Sequence, residues 1–244
     1  MNILVQSTTQ NKKTGNIPTI IVGQSYDEIT SSCRASGCIL LHKKLGGNGG
    51  YKELGLLPCY AHKGHVSWGT KSILRAIDKG TRTVNDYSIK EGFSNSSRNA
   101  RYFRLSSIGD ASSLSHETIN ELVTEGEKYN LKPLGYTASK EATHLKEVCL
   151  LSCPTIEETD EAISKGWRAT TITNPKNWDG KRTFKTPKGF SGIYCPEQVQ
   201  AIKAKADGVK VTPRTKITCN TCGLCSQGNK HTTRYKAIGF FSHG

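Results

Sequence analysis

Tyr102-Phe103-Arg104-Leu105-Ser106-Ser107-Ile108, closed by Gly109-Asp110, is the stretch that decides the fold. It is short, rich in aromatic and aliphatic residues, and ends on a turn glycine, which reads as a strand. Ser115 then caps a helix carrying Ile119, Leu122 and Val123. Pro133-Leu134-Gly135-Tyr136-Thr137 reads as a second strand and Val148-Cys149-Leu150-Leu151-Ser152 as a third. Thr155 opens an acidic helix with Ile156, Ala162 and Ile163, which stops at Gly166. Arg168 to Thr173 is a fourth strand, Gly192-Ile193-Tyr194 a fifth, Pro196 to Ala206 a helix, and Ala237 to Phe241 a last strand. Strands alternating with helices at this pace imply parallel pairing with right-handed crossovers. The expected class is α/β: a complete or abbreviated (β/α) barrel, with an open doubly wound sheet as the alternative.

Upstream, residues 1–100 read as part of the same domain, and residues 101–244 hold the β/α repeats. Ile3-Leu4-Val5 is a short strand, followed by a basic loop, and Pro18 to Gly23 a strand or its lead-in. Composition changes at Ser31, and a glycine-rich loop at Gly46 to Gly50 lies between Cys33/Cys38 and Cys59. Gly69 to Gly80 has helical spacing through Ile73, Leu74 and Ile77. Asn85 to Ala100, rich in serine and asparagine, reads as irregular.

Near the carboxyl end, Cys195-Pro196-Glu197-Gln198 is followed by Cys219-Asn-Thr-Cys222-Gly-Leu-Cys225. Each Cys-x-x-Cys pair wraps a turn that aims its sulfurs at one point, with Gly223 supplying the positive φ such a turn needs. A tetrahedral thiolate site takes four ligands, so Cys195 and His243 are the candidates for the fourth. The expectation is an appended cysteine-rich element holding zinc, or an iron–sulfur cluster, against buried free thiols. Cys33, Cys38 and Cys59, with His62 or His65, form a looser second set, read either as a second metal site or as thiols packed beneath a loop.

The chain carries 34 Lys and Arg against 20 Asp and Glu, a net charge of +14 that favours a polyanion, with nucleic acid the expected partner. Nine cysteines without a signal-peptide pattern point to a reducing cytoplasm, and no apolar run is long enough to span a membrane. No Walker loop, dinucleotide fingerprint or nucleophile elbow is present.

In α/β folds the site gathers at the carboxyl ends of the strands. Those ends carry Ser107, Gly109 and Asp110; Tyr136, Thr137 and Ser139; Ser152 and Cys153; Thr173 and Asn174; Cys195 and Glu197; and His243. Asp110 reads as a base or nucleophile, or as the cap of its own loop. Glu197 reads as a second acid or as a first-turn helix acid. Tyr136 is a candidate for stacking on a base, or a core residue.

Leu57-Pro58-Cys59-Tyr60-Ala61-His62-Lys63-Gly64, Arg104…Gly109-Asp110, Gly135-Tyr136-Thr137, Cys195-Pro196-Glu197-Gln198, Cys219-x2-Cys222-x2-Cys225 and His243-Gly244 occur in one order through most of the chain. In that order they resemble the bacteriophage proteins named after gene product 88, which are similar, more remotely, to the tRNA-guanine transglycosylase superfamily. The resemblance implies a (β/α) barrel, a zinc held by three Cys and a His, and aspartates that drive guanine exchange. Asp110 matches the superfamily's strand-end aspartate, with Ser107, Gly109, Tyr136 and Thr137 about the substrate. It further implies a phage enzyme in the host cytoplasm that exchanges guanine in DNA for a 7-deazaguanine base such as preQ0. The alternatives are a metal-stabilised nucleic-acid-binding protein without catalysis, and an iron–sulfur enzyme using Cys33, Cys38 and Cys59.

Overall fold

The computed structural model describes residues 3–7, 13–38, 40–41, 50–53, 59, 64–106, 108–227 and 234–242, with 64–66 described by backbone alone. Its strands are β1 (Ile3–Gln6), β2 (Thr19–Val22), β3 (Tyr102–Arg104), β4 (Lys132–Leu134), β5 (Tyr136–Thr137), β6 (Leu150–Cys153), β7 (Ala169–Thr173), β8 (Thr183–Lys185), β9 (Ser191–Tyr194) and β10 (Ala237–Phe241). The helices are α1 (Tyr26–Ala35), α2 (Gly64–Asp78), α3 (Ile89–Ser94), α4 (His116–Lys128), α5 (Ile156–Ser164), α6 (Pro196–Ala206) and the single turn α7 (Cys219–Cys222).

Two sheets result, ordered β1-β2-β3-β4 and β5-β6-β7-β10-β9-β8. Only the outer hairpins, β1 with β2 and β8 with β9, are antiparallel. The α/β class therefore stands, with parallel pairing as expected. The barrel does not close among the described residues: the strands form two sheets, each with free ends in its order.

The expected second strand is one run split between the sheets at Gly135. Before it, β4 pairs with β3; after it, β5 pairs with β6. A Cβ on Gly135 would stand 2.5 Å from Cys149 Sγ and 2.7 Å from Leu105 Cδ1, so glycine lets the chain cross between sheets against a filled core.

The first sheet is covered on both faces. Val5 and Ile20 face the main core, which Phe93, Phe103, Ile119 and Leu122 of α3, β3 and α4 complete. Leu4 and Ile21, alternate residues on the same strands, face a second cluster with Ile29, Ile73 and Leu74 of α1 and α2. Period-two alternation on buried strands thus sorts two helical layers. Ser115 and Thr155 cap α4 and α5 by accepting from the N–H groups of Thr118 and Glu158, as their sequence positions predict.

Three segments differ from expectation. Residues 26–35 form α1, whose cap Ser25 accepts from Glu28 N–H. Residues 89–94 form α3 within a stretch read as irregular, because Ser88 caps it and Phe93 drops fully into the core. The edge strand β8, Thr183–Lys185, alternates exposed and half-buried residues, and so lacks the apolar signature of an interior strand.

Gly135→Ala is expected to lower the unfolding free energy by about 1–3 kcal/mol, the usual cost of overpacking a filled core, measured by urea denaturation.

Candidate metal-thiolate and acid site

Parallel strands β3, β5, β6, β7 and β10 end on one side, where a cavity of about 260 Å³ opens. That is slightly below the roughly 300 Å³ at which small-molecule pockets begin. Seven of the nine cysteines line it: Cys195, Cys219, Cys222 and Cys225, and also Cys33, Cys38 and Cys59.

The cysteine knuckle is built into this mouth rather than appended. Thr218 caps α7 and Gly223 ends it at φ 64, the left-handed conformation that glycine adopts without strain. Asn220 then ties α7 to the body: its Oδ1 accepts from Arg101 N–H at 2.8 Å and its Nδ2 donates to Asn99 O at 2.9 Å. Behind the knuckle, buried Arg168 donates to Leu224 O at 2.9 Å and to Ser226 O at 3.4 Å. Gln227 Nε2 donates to Cys149 O at 2.7 Å.

Cys195 enters from another direction. It precedes α6, whose first position is Pro196, and Cys195 N–H donates to Gly239 O at 2.8 Å. Gln198 then grips the end of β10 twice, accepting from Phe241 N–H at 2.9 Å and donating to Phe241 O at 3.0 Å.

These four thiols lie within one another's electrostatic reach. Burial raises Cys219 to about 11, with Arg104 opposing and Cys195 adding to the rise. Burial also raises Cys195 and Cys222, and holds Cys225 well above its usual range. Backbone N–H groups of Gln198 and Glu197 point at the Cys195 sulfur, that of Leu224 at Cys222, and Tyr136 hydrogen-bonds to Cys225. The donor chemistry fits a soft, thiolate-binding metal. The sulfurs stand apart, however: among the described residues no group of three or more His, Cys, Asp or Glu is close enough to hold a metal ion.

Buried Asp110 receives three hydrogen bonds. Its Oδ1 accepts from Ser112 N–H at 2.9 Å and from Thr137 Oγ1 at 2.7 Å, and its Oδ2 accepts from Ala138 N–H at 2.7 Å. The carboxylate therefore caps its own loop and joins it to β5, while also lining the cavity. Gly109, at φ 92, brings this loop onto α1, where a Cβ would stand 2.9 Å from Ile29 O. Asp110 N–H donates to Ser32 Oγ at 2.7 Å.

Glu197 sits in the first turn of α6 and on the cavity wall, 3.9 Å from Lys13 Nζ. Burial raises its pKa, against the pull of Lys13 and Lys216. Tyr136 meets Phe240 edge-on at 5.7 Å, and burial pushes its phenol well above the usual range. Ser152 lines the cavity, whereas Cys153 packs in the core. Ser107, His62 and His243, and the side chain of His65, lie outside the described residues.

Sequence reasoning gave no site role to Arg168, Gln198 and Asn220, which hold the site together. Each is a lone polar residue whose partners are backbone groups remote in sequence, so no local pattern marks it. On the surface, residues 175–216 carry ten basic side chains against three acidic ones, a net +7 and half of the chain's +14. Lys176, Lys181, Arg182, Lys185 and Lys188 are exposed around the β8–β9 hairpin. Among the described residues no helix is long and apolar enough to cross a membrane.

No protein-family model, curated protein or solved structure matches the chain.

Thr137→Val removes one of two donors to Asp110 Oδ1 and the acceptor of Ser139 N–H, and a loss of about 1–3 kcal/mol is expected from these lost bonds, measured by thermal or urea unfolding. Burial raises Cys153 to about 12, against about 8.5 in an unfolded chain. Between those values the unfolded state has released the proton and the native state retains it, so stability falls as pH rises. The urea midpoint is expected to drop between pH 8 and pH 10, and to drop less in Cys153→Ala.

Proposed function

We propose that the chain is a metal-thiolate enzyme acting on a nucleic-acid base, with base exchange in DNA as its reaction. The observation that carries this reading is one cavity whose walls combine four knuckle and α6 thiols with Asp110 and Glu197. Cys195, Cys219, Cys222 and Cys225 are the ligands, with His243 the alternative fourth. Zinc, or an iron–sulfur cluster, supplies a fixed cross-link between α6 and the knuckle when bound. The parallel run β2-β3-β4/β5-β6-β7-β10 is read as the wall of an abbreviated (β/α) barrel. The resemblance to the gene product 88 proteins and to tRNA-guanine transglycosylases is part of this reading, as is the cytoplasm of an infected host cell.

The residues divide the work as follows. The basic face around β8–β9 holds DNA phosphates, and the target base is flipped from the stack at a cost of a few kcal/mol. Asp110 Oδ2, which accepts the single hydrogen bond from Ala138, attacks C1′ of the deoxyguanosine. The C1′–N9 bond breaks, its electron pair leaves with guanine, and Glu197 gives that base a proton. A 7-deazaguanine such as preQ0 then attacks C1′ through N9, loses its proton to Glu197, and releases the Asp110 carboxylate. Gly109 and Thr137 position the acid, Tyr136 walls the pocket, and Ser107 is assigned to the substrate from the sequence reading.

A second reading, a metal-stabilised DNA-binding protein without catalysis, is favoured by the three hydrogen bonds on Asp110, which suit a structural clamp. Nucleoside mass spectrometry on plasmid DNA from cells expressing the protein, supplied with precursor base, separates the two. A deoxy-7-deazaguanosine peak in the wild type, lost in Asp110→Asn while DNA binding persists, is expected for base exchange. A soluble, metal-loaded wild type that binds DNA and yields no peak would favour the binding protein.

A further inference from the structure

The three remaining cavity cysteines lie on elements independent of the knuckle. Cys33 lies in the last turns of α1, and Cys38 follows that helix across the Gly37 turn at φ 68. Cys38 N–H donates to Cys33 O at 3.1 Å, so the two backbones are tied directly. Cys59 belongs to a different segment, held against this turn by its N–H donating to Leu40 O at 2.8 Å. Leu41 N–H donates to Cys38 O at 3.1 Å, closing the loop on itself.

The sulfurs are provided for as well as the backbones. Gly109 N–H points at Cys33, and the N–H groups of Leu40 and Leu41 point at Cys38. Burial, then the neighbouring thiols, outweigh these donors and raise Cys33 and Cys38 to about 12, so the donors show only that backbone faces the sulfurs, and metal uptake must release their protons. Cys149 is fully buried in the main core and does not line this cavity, whereas Cys33 is buried and Cys59 packs against the second cluster while both also line it. Cys33, Cys38 and Cys59 border open space together, and Asp110 is in electrostatic reach of the first two.

We propose that Cys33, Cys38 and Cys59 hold a second metal centre whose fourth coordination position opens into the cavity beside Asp110. Three protein ligands with an exchangeable fourth are the arrangement of a reactive site, whereas four protein ligands make a structural one. The exchangeable ligand is a small nitrogen or sulfur donor, a class that includes a purine ring nitrogen. The thiols stop short of the convergence a bound ion imposes, and metal uptake draws them in. This centre is independent of the four-thiol reading above.

The test uses the full chain, stripped of metal under anaerobic reducing conditions and titrated with Co²⁺ as the probe. Wild type is expected to take up about two equivalents, and Cys38→Ser and Cys222→Ser about one each, as two tetrahedral sites require. Imidazole is expected to shift the visible bands of Cys222→Ser and to leave those of Cys38→Ser unchanged. Uptake by Cys38→Ser equal to that of wild type overturns the second centre. Bands of Cys222→Ser that ignore imidazole, with cobalt lost in His62→Ala or His65→Ala, overturn the open position. Failure of the four-thiol site shows separately, as wild-type uptake by Cys222→Ser. Circular dichroism matching wild type qualifies each variant, and Cys33→Ser or Cys59→Ser replaces Cys38→Ser if that chain does not fold.

Discussion

Insertion of β10 between β7 and β9 is the constraint on which the rest of the molecule depends. Ala237 to Phe241 pairs in parallel with Ala169 to Thr173 on one side, and Ala237 to Gly239 with Gly192 to Tyr194 on the other. The last strand of the chain thereby occupies the interior of the larger sheet, and Cys195, just past β9, is hydrogen-bonded to it through Gly239 O. The knuckle between α6 and β10 must then return over the strand ends. Gly239 makes the insertion possible, since a Cβ there would lie 2.5 Å from the Tyr194 ring. Gln198 secures the far end by taking both backbone groups of Phe241.

Local signals in the sequence account for much of this. The caps at Ser115 and Thr155, the apolar runs of β6 and β10 and the β-branched run of β7 are written in consecutive residues, and they stand where those residues place them. What escapes local reading is pairing. Nothing near Ala237 shows that β10 slides between β7 and β9 instead of continuing in order around a barrel. Nothing near Gly135 shows that one strand serves two sheets. Parallel partners are chosen by side-chain complementarity across long intervals of sequence, so the element is visible and its neighbour is not.

The site follows the same division. Spacing alone identifies the Cys219, Cys222 and Cys225 turn, and Gly223 adopts the positive φ the spacing demands. That the turn is integral to the sheet's mouth rests on Arg168, Asn220 and Gln227, whose partners are main-chain groups far along the chain. These contacts matter energetically because the backbone groups of a tight turn at a cavity rim would otherwise lack partners. The fixed turn in turn holds its sulfurs near Cys195.

Asp110 shows how one residue can satisfy both of the readings its sequence position allows. As a cap it accepts from Ser112, as a clamp it accepts from Thr137 and Ala138, and it still borders the cavity. A carboxylate has about four acceptor positions, and three are used here by groups that also fix its orientation. Such restraint suits a group that must meet a reacting carbon, or face a metal-bound ligand, in one geometry, because orientation is obtained before the substrate arrives. Two of these bonds, from Thr137 and Ala138, join β3's loop to β5, where the two sheets meet. Stability and placement are therefore coupled at this residue: the contacts that keep the sheets in register also aim the carboxylate at the space shared by seven thiols.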